Sequence, residues 1–76
     1  MIDQYDVTIS RNGDFIATIP ASVDWSAPRF DWDDAPSAVG IADDDASAVA
    51  KAIESGIVRD TLPDGLRFIA RFTGSI

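Results

Sequence analysis

Seventy-six residues with 46% apolar content, no cysteine, no histidine and a formal net charge of −7 describe one small folded domain rather than a disordered chain. The missing cysteines exclude a disulfide framework and thiolate ligands, and the missing histidines remove the usual zinc ligand and the side chain best suited to proton transfer near neutral pH. The charge opposes direct contact with DNA, RNA or anionic membranes, which depends on Lys and Arg, and favours a basic protein as partner.

Residues 5–20 read as a β-hairpin. Tyr5, Val7 and Ile9 alternate with Asp6, Thr8 and Ser10, a period of two, and Phe15, Ala17 and Ile19 resume that period after Asn12-Gly13. A two-residue Asn12-Gly13 loop would mix apolar and polar residues on both faces. A three-residue loop over Arg11, Asn12 and Gly13 sets Ile9 opposite Phe15, Val7 opposite Ala17 and Tyr5 opposite Ile19, with Gly13 left-handed in a bulge. A slip of one residue inverts every side chain, so this apolar pairing predicts the three-residue loop.

The next stretch, about residues 21–44, reads as an acidic loop. Pro28 and Pro36 deny it a long regular element. Short extended pieces fit around Val23-Asp24-Trp25 and Phe30-Asp31-Trp32, and a third sheet strand there is left open. The charge concentrates here: Asp24, Asp31, Asp33, Asp34, Asp43, Asp44 and Asp45 lie within 22 residues and only Arg29 offsets them, which leaves a net −1 elsewhere. Such crowding lowers the stability of a compact state, and its simplest use is attraction of a basic partner. Trp25, Trp32 and Phe30 stand among the aspartates, and tryptophan is enriched at binding hot spots. The residues singled out for partner contact are Asp24, Trp25, Asp31, Trp32, Asp33, Asp34, Asp43 and Asp44. The competing reading is a solvated loop with at least one tryptophan tucked into the core.

Residues 45–55 read as a helix. Ala46, Val49, Ala50, Ile53 and Ile57 fall on one helical face, Asp44 or Asp45 can cap its start, and Gly56 is a natural stop. A calcium loop counted from Asp43 fails, because its sixth position is Ala48 instead of glycine. Asp31-x-Asp33-Asp34 fails similarly, with Ala35 and Pro36 where ligand and glycine belong. After a turn at Pro63-Asp64-Gly65, Leu66, Phe68, Ala70 and Phe72 alternate with Arg67, Ile69 and Arg71 in a last strand, whose arginines match Asp6 and Asp14 as surface pairs. The expected architecture is α+β: a small antiparallel sheet, from the N-terminal hairpin and the C-terminal strand, with one helix packed on one face. The expected core is Val7, Ile9, Phe15, Ile19, Val49, Ile53, Phe68 and Phe72.

Paired carboxylates in so small a chain lack the pocket needed to push two pKa values apart, so no enzyme, cofactor or metal is expected. No apolar run approaches the roughly 20 residues of a membrane helix, and Met1-Ile2-Asp3-Gln4 lacks the basic start and apolar core of a signal peptide. A cytoplasmic protein is expected.

In size, charge of −7 and the aspartate cluster at residues 24–45, the chain resembles small acidic phage-encoded inhibitors of the anti-CRISPR type, some of which mimic nucleic-acid charge. That resemblance implies a basic nucleic-acid-binding effector complex as partner, in the host cytoplasm. Tyr5-x-Val7-x-Ile9, then Gly13-Asp14-Phe15-Ile16-Ala17-Thr18-Ile19-Pro20 and an alanine-rich helix, are similar to HicB-like antitoxin domains. The likeness departs where the helix opens Asp44-Asp45-Ala46-Ser47 instead of Thr-x-x-Glu-Ala. It implies neutralisation of a toxin. A structural or assembly module without mimicry is the third reading.

Overall fold

The computed structural model describes residues 1–76. In chain order it contains β1 (Ile2–Arg11), β2 (Asp14–Asp24), β3 (Arg29–Trp32), a 3₁₀ turn (Pro36–Val39), helix α1 (Asp43–Glu54), β4 (Arg59–Thr61) and β5 (Leu66–Ser75). The strands form one antiparallel sheet in the order β3-β2-β1-β5-β4, with α1 across one face. The α+β architecture is as the sequence predicts, enlarged by two edge strands. β3 forms in the segment read as an acidic loop, which therefore holds the end of β2, β3, the 3₁₀ turn and the start of α1.

The hairpin register differs from the predicted one. Asn12 and Gly13 both take positive φ, 50° and 87°, so the turn is a two-residue type I′ loop with Arg11 opposite Asp14 and Ser10 opposite Phe15. The apolar mismatch expected of that loop does not arise, because the pairing then jumps from Ser10–Phe15 to Ile9–Ala17. Ile16 is the extra residue, a β-bulge that shifts β2 by one position. Val7 consequently faces Ile19, Tyr5 faces Ala21 and Asp3 faces Val23. The Asn-Gly preference sets the turn, and the bulge restores the phase.

The two-residue turn also explains a wrong core residue. Phe15 pairs with Ser10, whose neighbours Ile9 and Val7 point inward, so Phe15 stands on the outer face, 69% exposed. The core instead takes Ala21 and Val23 from the far half of β2, Phe30 from β3, and Tyr5, Ile41, Ala46, Leu66 and Ala70 beside Val7, Ile9, Ile19, Val49, Ile53 and Phe68. Phe72 sits on the inner face opposite Tyr5, with its ring edge-on to Tyr5 at 6.0 Å, yet it remains 56% exposed. Helix α1 crosses from the turn end, where Asp45 meets Arg11, to β3, where Glu54 meets Phe30, and so leaves this end of β5 uncovered.

Helix α1 starts two residues earlier than the apolar period suggests. Its N-cap is Ala42, with no side-chain capping bond, so Asp43, Asp44 and Asp45 occupy the first turn and complement the helix dipole without capping it. The predicted stop is as expected. Gly56 at φ 88° donates to Ile53 O, and Ile57 N donates to Ala52 O, the two bonds of a Schellman ending. Ile57 thus lies beyond the helix and is half-exposed instead of extending its apolar face.

Two turns meet at one end of the sheet. Asn12 N donates to Gly65 O at 3.2 Å, and a Cβ on Gly65 would stand 2.5 Å from Asn12 Oδ1. Gly65 is therefore needed both for its φ of 88° and for this approach.

Substitution at two phenylalanines tests the register. Phe68→Ala should cost about 3–5 kcal/mol, the range for emptying a packed aromatic site, whereas Phe15→Ala should change stability by no more than about 0.5 kcal/mol. Equal losses in urea denaturation would contradict the bulged pairing.

Candidate functional site

The strand levels place the acidic residues. β1 runs from the chain termini to the turns, and β2 returns, so Asp24 lies level with Ile2 at the terminal end. β3 pairs Arg29 with Asp24 and Trp32 with Ala21, and Asp33 N donates to Pro20 O at 2.9 Å, so β3 runs back along the sheet edge. The helix then starts at the turn end, where Asp45 meets Arg11. It finishes near β3, where Glu54 Oε1 accepts the Phe30 N–H at 2.9 Å. The acidic segment thus traverses one long side of a molecule 34 × 20 × 19 Å in extent.

Strand alternation divides the predicted site between two faces. Phe30 and Trp32 point inward beside Val23 and Ala21, and their rings meet edge-on at 4.8 Å. Trp25 is half-buried at the terminal end, where its indole N–H donates to Asp3 Oδ2 at 2.9 Å. Asp31 lies on the outer face opposite Ser22, and Asp24 shares that face. Trp25 and Trp32 pack against the core, in line with the competing reading, and the aspartates stand apart from them.

The carboxylates also differ in what they already hold. Asp24 accepts from the Ser26 hydroxyl and the Ser26 N–H, and these bonds hold its carboxyl below the usual carboxylate range. Asp31 pairs loosely with Arg29 at 3.6 Å, with both side chains largely exposed. Such surface pairs contribute at most about 1 kcal/mol. Asp45 is committed to the fold, as Arg11 bridges it at 3.0 Å and Asp64 at 3.3 Å. Asp33, Asp34, Asp43 and Asp44 are exposed and have no side-chain hydrogen bond or ion pair within the chain.

The Arg11 bridge joins α1 to both turns, and sequence reasoning missed it. Arg11, Asp45 and Asp64 are far apart in sequence, and only the folded turns bring them together. Of the predicted surface pairs, Arg71 meets Asp6 at 3.4 Å, and Asp14 forms none.

No group of acids converges with metal-ligand geometry, and the surface has no pocket. No helix is long and apolar enough to cross a membrane. Comparison with protein families, with curated proteins and with solved structures finds no match.

The Leu66 N–H is the main group holding the Asp64 carboxyl below the usual range, and the Arg11 guanidinium adds to it. A carboxyl whose pKa falls on folding stabilises the fold above its unfolded pKa, and that contribution disappears as the pH drops through the lower folded value. Asp64→Asn should therefore be less stable than the parent at pH 7, and the gap should close below about pH 4. Urea midpoints at pH 7 and pH 2.5 read this directly, and a gap independent of pH would remove Asp64 from the account of acid stability.

Proposed function

We propose that this chain is a small acidic inhibitor that binds the basic surface of a nucleic-acid-binding protein by charge mimicry. A guide-RNA-loaded CRISPR effector is the most concrete target. The observation that carries the proposal is the row of exposed, unpartnered carboxylates Asp33, Asp34, Asp43 and Asp44 along one side of the molecule. The fold already holds Asp45 and Asp24, yet these four remain free to neutralise Lys and Arg that otherwise contact phosphates. Asp43 and Asp44 stand in the first turn of α1, and Asp33, just past β3, is tied to β2 by its N–H bond to Pro20 O, so little chain entropy is lost on docking. Mimicry by this edge relies on charge, since the tryptophans pack inward and add no hot-spot area to it. An antitoxin-like domain is the alternative, and it would present the same edge to a basic toxin.

The test is direct. Added to a panel of guide-loaded CRISPR effectors, the chain should block target-DNA binding in gel shift for at least one. Changing Asp33, Asp34, Asp43 and Asp44 together to Asn should abolish that block while leaving the circular dichroism spectrum intact. Relief of like-charge repulsion should offset the helix-dipole contribution lost at Asp43 and Asp44, so the variant should stay folded. Inhibition should weaken as salt rises, because exposed charges are screened over about 8–10 Å near physiological ionic strength. Inhibition unchanged in the variant and at every salt concentration would eliminate mimicry.

A further inference from the structure

Asn12 is the only asparagine of the chain, and it precedes Gly13 at the tip of the hairpin. Asparagine is thermolabile, and its chemistry beside a glycine has a defined course. The Gly13 nitrogen attacks the Asn12 side-chain carbon Cγ. An N–C bond forms, the Cγ–Nδ2 bond breaks, and Nδ2 leaves as ammonia with the Gly13 amide proton. The product is a five-membered imide, which water opens at either carbonyl. Release of the nitrogen from Cγ gives aspartate. Release from the backbone carbonyl carbon gives isoaspartate, whose main chain runs through Cβ and Cγ. The reacting groups in this turn are free: both residues are exposed, and neither the Asn12 carboxamide nor the Gly13 N–H makes a hydrogen bond within the chain. Glycine adds no side chain to obstruct the ring. Asp64-Gly65 is the contrast, since the Asp64 carboxylate accepts the Leu66 N–H at 3.2 Å and the Gly65 N–H donates to Leu62 O at 3.0 Å.

We infer that Asn12-Gly13 is a self-modification site gated by the hairpin: Asn12 converts to isoaspartate and aspartate when the turn opens, and the isoaspartate keeps it from closing again. The gate is conformational. Ring closure needs the Gly13 nitrogen eclipsed with Asn12 Cβ, whereas the left-handed Asn12 of a type I′ turn, with φ of 50°, holds the two nearly anti. That form is braced from behind. Asn12 N donates to Gly65 O at 3.2 Å, and Arg11 donates to Asp64 O at 3.2 Å while pairing with the Asp45 and Asp64 carboxylates. The two products differ in consequence. Aspartate keeps the main chain of the loop. Isoaspartate adds a methylene to it, so the loop no longer matches the twist of β1 and β2, and the phase that turns Ala21 and Val23 inward loses its anchor. The site stands independently of the inhibitor reading.

Peptide mapping by mass spectrometry during incubation at mildly alkaline pH, on the folded chain and on the chain unfolded in urea, gives the two rates. Deamidation at Asn12 should be at least about tenfold slower in the folded chain, in a ratio set by the population of the open turn. Arg11→Gln, which removes the bridge to α1 and to the second turn, should bring the folded rate toward the unfolded one. Should that variant fail to fold, sub-denaturing urea on the parent replaces it. Hydrogen exchange of the Asn12 N–H, freed when its bond to Gly65 O breaks, should then rise in step with deamidation. The isoaspartyl form, separated by its added charge, should have a lower urea midpoint than the parent, and Asn12→Asp should stay close to the parent. Equal rates in the folded and unfolded chain, a folded rate that Arg11→Gln leaves unchanged, deamidation that does not follow Asn12 exchange, or an isoaspartyl form as stable as the parent would each overturn the proposal.

Discussion

The phase of β2 is the constraint on which the rest of the molecule hangs. In a sheet with one covered face, a slip of one residue exchanges the buried and exposed sets. The type I′ loop at Asn12-Gly13 by itself would place Ile16 opposite Ile9 and point Ile19, Ala21 and Val23 outward. The single extra residue at Ile16 reverses that. Val23 and Ala21 then form the inner seat for Phe30 and Trp32, which draws β3 onto the edge and gives α1 a surface to cross. A local bend near one turn thus determines where the acidic segment begins and which side chains it presents.

The helix is held at its two ends by carboxylates with different duties. Asp45 in its first turn engages Arg11, which also reaches Asp64, so one guanidinium ties the helix start to both turns. Glu54 in its last turn accepts the Phe30 N–H, a backbone donor on an edge strand that has no further strand to pair with. The second contact blunts the edge, as edge strands require if they are not to pair with other chains. β4 achieves the same by brevity, and Asp60 occupies the Thr61 N–H. The acidic composition of the chain is therefore partly structural. Asp45, Asp64, Glu54, Asp3 and Asp24 each satisfy a specific donor, and Asp33, Asp34, Asp43 and Asp44 do not.

The elements with a strong local signal were legible in the sequence. The alternation of β1 and β5, the apolar face of α1 and its Gly56 stop needed only residues close together in the chain. The outward arginines of β5 followed from the same alternation. The misses share a different cause. Phe15 and the hairpin register were missed because a bulge has no composition of its own, and without one only the longer loop pairs apolar residues with apolar ones. Phe72 failed because its exposure depends on the direction in which the helix crosses the sheet, from the turn end toward β3, which is a tertiary feature and not a local pattern. β3 and β4 are too short to show a period, and each forms only because a long partner strand presents free backbone groups. The candidate site was legible as charge and not as geometry: the aspartates were identified, but their division into bound and free groups depended on Arg11, Ser26 and Arg29.

That division bears on what an acidic cluster in a small domain can do. Aromatic residues within a charged run suggest a mixed hot spot, yet alternation along β3 sends Phe30 and Trp32 to one side and Asp31 to the other. A four-residue strand cannot present both sets on a single face. The tryptophans are then used for packing, where a 76-residue chain has few large side chains to spare, and the aspartates lie on an edge that is polar and rigid. Such an edge recognises charge and its spacing but supplies little desolvated area. On the inhibitor reading proposed above, binding through it would be governed by ionic strength, and specificity would come from the match between the row of carboxylates and a row of cations on the partner.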